Sequence, residues 1–200
     1  MIPPTVTLVH IRHGQTDWNA EGRLQGQQDI PLNATGRAQA ARNGRALVQF
    51  LAERGVDPED LDWVSSPLGR SRETMEIIRD TAGLDPTDYR LEDRLREVTF
   101  GLWEGSTMPE LKLSDPAGFA ARRADKWGFV PPGGESYAML SARIAKVVER
   151  IDHDTIIVAH GGVQRVLAGL LLGLPSVEVP ALDVPQDRFC VFSAGAGDWI

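Results

Sequence analysis

Thr5-Val6-Thr7-Leu8-Val9-His10-Ile11-Arg12-His13-Gly14 decides how this chain is read. An apolar, β-branched run ends in a guanidinium, an imidazole and a glycine, the pattern of a buried strand giving way to a kinked loop. The pattern returns in the far half as Thr155-Ile156-Ile157-Val158-Ala159-His160-Gly161-Gly162, where a helix-forming stretch takes over. Open α/β sheets hold ligands in the crevice outside the carboxyl ends of their strands, so the two histidines, remote in sequence, are expected to meet across one pocket. With Arg12 beside them, that pocket suits an anion.

Between and beyond these runs, short β-type segments alternate with helical ones. This order predicts an α/β three-layer sandwich, a mostly parallel central sheet covered by helices on both faces. Asn33 caps a helix that carries Ala38, Ala41, Leu47, Val48 and Leu51 and stops at Gly55. A strand around Leu61 to Ser65 leads into Ser66-Pro67, read as a cap followed by proline at the first helical position, and the next helix carries Leu68, Met75 and Ile78. From Met108 the pattern loosens, with Pro109, Pro116 and Gly118 among Phe119, Trp127 and Phe129, and residues 108–130 read as a small inserted cap or lid. Ser136 to Ile151 is helical, Thr155 to Ala159 a strand, Gly161 to Leu172 an apolar helix, and Phe189 to Ser193 one last strand. The whole, 1–200, reads as a single domain.

Composition bounds the setting. The 200 residues are 42% hydrophobic, enough for a substantial core, and the net charge of -7 argues against a general attraction to nucleic acid or anionic membrane. A phosphate ligand would therefore need a locally basic hollow. No apolar stretch reaches bilayer length and Met1-Ile2-Pro3-Pro4 lacks a secretory pattern, so a cytoplasmic location is expected. The lone Cys190 reads as a small buried apolar residue. The sequence is compatible with a homodimer.

Individual residues are ambiguous on their own. Arg70 falls in the first turn of its helix, where the dipole disfavours a cation by roughly 0.3 to 1 kcal/mol, whereas a charge-assisted hydrogen bond to an anion returns about 1.5 to 3 kcal/mol. Taken alone, the helix favours a solvated arginine like Arg72 and Arg79. Asn19 offers an amide to a phosphate oxygen or is simply a turn residue. Glu97, near aromatic surface, is a candidate proton carrier, with Glu92, Asp93 and Glu104 as rival acids. A lone histidine at a strand end is more often structural.

Collectively they are specific. Leu8-x-x-x-Arg12-His13-Gly14-Gln15-Thr16-x-x-Asn19, Arg23-x-Gln25-Gly26, Ser65-Ser66-Pro67-Leu68-x-Arg70-x-x-x-Thr74, Glu97-x-x-x-Gly101-x-Trp103-Glu104-Gly105, Pro132-Gly133-Gly134-Glu135-Ser136 and His160-Gly161-Gly162 resemble, in order, the histidine phosphatase superfamily of phosphoglycerate mutases and related phosphatases. The resemblance implies that His13 becomes phosphohistidine, with Arg12, Asn19, Arg70 and His160 around the phosphoryl group and Glu97 carrying the proton. It further implies substrate contacts at Arg23, Gln25, Gly26 and Gly161, a small phosphate ester as ligand, and neither cofactor nor metal. Asn33 stands where threonine or serine is usual, Ser71 and Met75 replace small alanines, and His10 is an uncommon polar residue in the first strand, read as structural.

Three alternatives accompany the phosphatase reading. Mutases of the family usually carry a longer basic insertion; here it is short, with Lys112, Arg122 and Arg123 as candidate substrate contacts or a solvated face. A metal hydrolase would use His10-x-x-His13 with Asp17 nearby, but residues three apart on a strand point to opposite faces. A non-catalytic phospho-ligand binder would need the arginines without His13 and Glu97.

Overall fold

The computed structural model describes residues 2–200. Its centre is the pair foreseen from the two apolar runs. β1 (Leu8–Arg12) lies parallel to β4 (Thr155–Ala159), in a register that sets Leu8 opposite Thr155 and Arg12 opposite Ala159. β2 (Asp62–Ser65) pairs with the other side of β4 and carries β3 (Arg90–Leu91) on its outer edge, both parallel. On the far side of β1, β5 (Phe189–Ser193) and β6 (Ala196–Trp199) run as an antiparallel hairpin, giving the order β3-β2-β4-β1-β5-β6.

Both faces of this sheet are buried, which is why its inner strands read as continuous apolar runs rather than alternating ones. Val9, Ile11, Ile156 and Val158 meet Leu47, Phe50 and Leu51 of α2 (Ala34–Arg54) and Met75 and Ile78 of α3 (Gly69–Thr81). Leu8, Ile157 and Ala159 point the other way, onto Leu140 and Ile144 of α6 (Tyr137–Val148) and Val163 and Leu167 of α7 (Gly161–Leu172). The short α1 (Asp17–Ala20) follows β1, and α4 (Met108–Ser114) and α5 (Pro116–Ala124) fill the loosely patterned segment. That segment is fastened to its surroundings by Trp103, whose indole N–H donates to Asp115 at 3.1 Å and whose rings stack on Phe129. Among the described residues no helix is long and apolar enough to cross a membrane.

Helix boundaries follow local chemistry, with one correction. Asn33 caps α2 by accepting from the Gly36 N–H at 2.9 Å, and Gly55 closes it with φ 64°. The helix expected to start at Ser66-Pro67 instead begins at Gly69, with Leu68 at its cap position and no side-chain cap from within the chain segment. Asp29, from a distant loop, accepts from the Gly69 N–H at 2.8 Å and serves the exposed end instead. Ser66 is thereby released for a different partner, His160. Two strands escaped the sequence reading altogether: β3, only two residues long and exposed, and β6, reached through a two-residue turn in which Ala194 and Gly195 both have positive φ.

Candidate active site

The adjacency of β1 and β4 brings their terminal histidines together. The His13 N–H donates to the Ala159 carbonyl at 2.9 Å, extending the ladder one step beyond the strands, and the rings of His13 and His160 lie 5.2 Å apart, edge to face. Both rings are almost fully withdrawn from solvent, as is the Arg70 side chain.

Hydrogen bonding fixes the tautomer of His13. Its Nδ1 sits 2.7 Å from the Gly14 carbonyl, which can only accept, and its Nε2 receives Arg70 Nε–H at 3.2 Å, which can only donate. The ring proton is therefore on Nδ1, and Nε2 presents its lone pair to Arg70. Burial, reinforced by the charges of Arg70 and Arg12, pushes the His13 pKa well below 6.5, so the ring is neutral at physiological pH. His160 is driven the same way, first by burial and then by Arg70. Its Nε2 lies 2.7 Å from Ser66 Oγ and 3.4 Å from Ser71 Oγ, while its buried Nδ1 has no partner among the described residues.

Arg70 reaches this point from the first turn of α3 because carbonyls hold it there. Nη1 donates to Gln28 O and Nη2 to Gly26 O, both at 2.7 Å. The Gln25 amide, oriented with its oxygen inward, accepts from the same guanidinium at 2.9 and 3.0 Å while its nitrogen donates to Thr16 Oγ1. Arg12, at the end of β1, donates to Val184 O at 2.6 Å and leaves its buried Nε unpartnered among the described residues. Burial lowers both guanidinium pKa values to about 10, which still leaves two full positive charges at neutral pH.

Glu97 approaches from the opposite wall. Its carboxylate accepts from the backbone N–H groups of Gly162, at 3.0 Å, and Val98, at 2.9 Å. Position 162 has to be glycine for this approach, since a Cβ there would stand 2.3 Å from Glu97 Oε1. Of the rival acids, Glu92 caps Arg94, Asp93 is exposed, and Glu104 spends both oxygens on neighbouring loops.

Asn19 shares a capping box with Thr16, and its amide oxygen is also taken by Gln186 Nε2 at 3.1 Å, so the group it can offer a ligand is its NH2. Gly161 begins α7 close to Arg12 Nε and Arg165 Nη1. Arg23 is turned toward Glu21, Glu110 and the Gly105 carbonyl. His10 is buried one layer beneath Arg12 and, with its pKa lowered to about 3, stays neutral. Among the described residues no three His, Cys, Asp or Glu side chains are gathered as a metal-binding group.

This order of strand-end histidine, buried arginine and carboxylate matches, over residues 8–200, the model of the histidine phosphatase superfamily, branch 1. The chain belongs to that superfamily. It is similar to the glucosyl-3-phosphoglycerate phosphatase of Mycobacterium tuberculosis, 35% identical over 188 residues that cover 88% of this chain and 79% of the relative. A solved structure of the mycobacterial glucosyl-3-phosphoglycerate phosphatase superposes with a TM-score of 0.76 at 33% identity, covering 93% of this chain and 89% of the other. The alpha-ribazole phosphatase of Shigella flexneri gives 0.78 at 26% identity over the same shares.

Several parts of this histidine phosphatase site carried no readable sequence signal of their own. Gln186 donates to the His13 carbonyl at 3.0 Å from a loop near the end of the chain. Thr74 accepts from the Gly14 N–H at 3.1 Å and so ties the loop after β1 to α3. Ser66 reads as a helix cap and serves as the partner of His160. Ser66 and Thr74 both fall within Ser65-Ser66-Pro67-Leu68-x-Arg70-x-x-x-Thr74, but that spacing names no partner for either.

Proposed function

We propose that the protein hydrolyses a small phosphate monoester through a phosphohistidine on His13. The observation that carries this reading is the unprotonated Nε2 of a neutral, buried imidazole facing Arg70, with Arg12 and His160 close by.

Phosphoryl transfer spreads negative charge over the equatorial oxygens, so fixed positive groups and positioning do most of the work. An entering phosphoryl group takes over the Arg70 Nε–H now spent on His13. His13 Nε2 then forms the P–N bond as the P–O ester bond breaks, and Glu97, which enters the cycle as the carboxylic acid, delivers its proton to the departing alkoxide. In the second half Glu97 takes a proton from water, the water oxygen attacks phosphorus, the P–N bond breaks, and phosphate leaves with His13 neutral again. His160 Nδ1, Arg12 Nε and the Asn19 amide complete the oxygen cradle, and the first turn of α7 adds its dipole. The guanidinium and imidazole shell supplies the charge compensation, and we hold the reaction to be metal-independent; activity that survives excess chelator is the expected result.

Residues 108–130 act in this reading as a lid over the crevice. Lys112 and Arg123 are exposed, and Arg122 lies against Met108 Sδ at 4.0 Å. The short segment favours water over a second metabolite as the acceptor, phosphatase rather than mutase. The acidic surface gives no purchase to nucleic acid or anionic membrane, and we place the enzyme in the cytoplasm.

Rapid quenching during turnover of a phosphate monoester should trap acid-labile phosphate on His13, and following the label to water or onto 3-phosphoglycerate separates phosphatase from mutase. His13→Ala should fold normally and lose both turnover and label. A folded His13→Ala enzyme with parental activity would overturn the assignment.

A further inference from the structure

Glu104 stands outside the chemistry just described, yet it joins the two walls of the site. Its Oε1 accepts from Gln27 N–H at 3.0 Å on one loop, and from Thr99 Oγ1 at 2.8 Å and Phe100 N–H at 3.1 Å on the other. Its Oε2 accepts from Gln28 Nε2 at 3.0 Å. The first loop is the one whose Gly26 and Gln28 carbonyls hold Arg70, and the second is the one that begins with Glu97. Gln27 closes the same bracket from the other side, donating through Nε2 to the Glu97 carbonyl at 2.9 Å.

The space taken by this carboxylate also explains a glycine. Gly26 has φ 54°, and a Cβ there would fall 2.0 Å from Glu104 Oε1. The backbone of Gly26, whose carbonyl orients Arg70, thus passes close against Glu104 with no side chain between them.

We infer that Glu104 is a positioning residue, a clasp whose four hydrogen bonds set the Arg70 guanidinium and the Glu97 carboxylate at a fixed separation across the phosphoryl pocket. The charge of Glu104 also steadies the buried guanidinium of Arg70, after the larger contributions of Glu97 and Asp29. Of the two readouts that follow, turnover rests on the phosphatase reading, whereas affinity for inorganic phosphate does not.

Glu104→Gln, isosteric and short of one acceptor, and Glu104→Ala are compared with the parent by kcat, KM and the binding of inorganic phosphate, each on protein whose folding is checked by circular dichroism. Misplacement of the two groups should lower kcat on the order of a hundredfold for Glu104→Ala, with Glu104→Gln intermediate. Phosphate affinity should fall about tenfold in Glu104→Ala as Arg70 loses its aim. A merely structural Glu104 would lower the melting temperature while folded protein kept parental kcat and phosphate affinity, and that result overturns the proposal. Phosphate binding that weakens as described in a parent that turns over no monoester would keep the clasp and discard the phosphatase.

Discussion

At the scale of single residues, the site is a contest between burial and charge. Arg70 is 1% exposed and remains charged because carbonyl oxygens of Gly26 and Gln28 take up its hydrogens. Lysine carries its three donors on one nitrogen and cannot span the separate positions that Nε, Nη1 and Nη2 reach, so Arg70→Lys should lower kcat by roughly a hundred- to a thousandfold, the usual loss when one preorganised donor is removed. It should also lower stability by about 1 to 3 kcal/mol, since the buried Gly26 carbonyl loses its donor; steady-state kinetics and urea unfolding check both. The groups legible in the sequence at this scale were those whose chemistry is scarce: His13, Arg12, His160 and Arg70 stood out once their spacings were read together. Ser66 and Gln186 were not, because serine and glutamine have ordinary roles in caps and loops and their partners lie 94 and 173 residues away.

At the scale of elements, the carboxyl end of the sheet depends on how closely α2 presses against the loop that follows β1. Gly14 and Gly36 touch backbone to backbone, and a Cβ on Gly14 would stand 2.2 Å from the Gly36 carbonyl oxygen. Gly14→Ala should therefore push the loop off α2 and cost about 1 to 3 kcal/mol, with activity falling alongside, since the Gly14 carbonyl holds the His13 ring. Asn33→Ala removes the cap together with side-chain donors to Gln15 and Asp17, none of which touches the His13 ring, and should cost about 1 to 2 kcal/mol, a loss of some 2 to 8 °C in Tm for a chain of this size, with kcat nearly parental. Calorimetry and kinetics on the pair separate a loop that matters to chemistry from a cap that matters to stability. Helices and inner strands were readable because long periodic or wholly apolar segments leave a strong imprint. The edge strand β3 is two exposed residues, and the β5–β6 turn uses Ala194-Gly195 rather than the asparagine or aspartate that usually announces a hairpin. The start of α3 moved because its cap came from Asp29, which no local pattern could foretell.

For the molecule as a whole, three buried histidines tie stability to pH. His10, His13 and His160 are all held below 6.5, His10 at about 3, by burial first and neighbouring cations second. The unfolded chain takes up protons as pH falls through 6.5 while the folded one does not, so the stability these neutral rings confer is whole above that pH and declines below it. Each contributes up to roughly 1.4 kcal/mol per pH unit in that window. His10→Leu should leave the fold intact and flatten the fall in urea midpoint between about pH 6.5 and pH 5 by one proton's worth; an unchanged slope would show that His10 is not buried neutral. A second global property comes from the β1–β4 register, which sets Arg12 opposite Ala159. β1 leaves the ribosome long before its partner strand β4 exists, so for most of its synthesis the chain carries Arg12 and His13 without the surroundings that bury them. On the proposed phosphohistidine route, labelling of His13 then becomes a timer of maturation: regain of labelling during refolding should coincide with the slowest, long-range step, closure of the parallel pair, and not with the earlier formation of local helices.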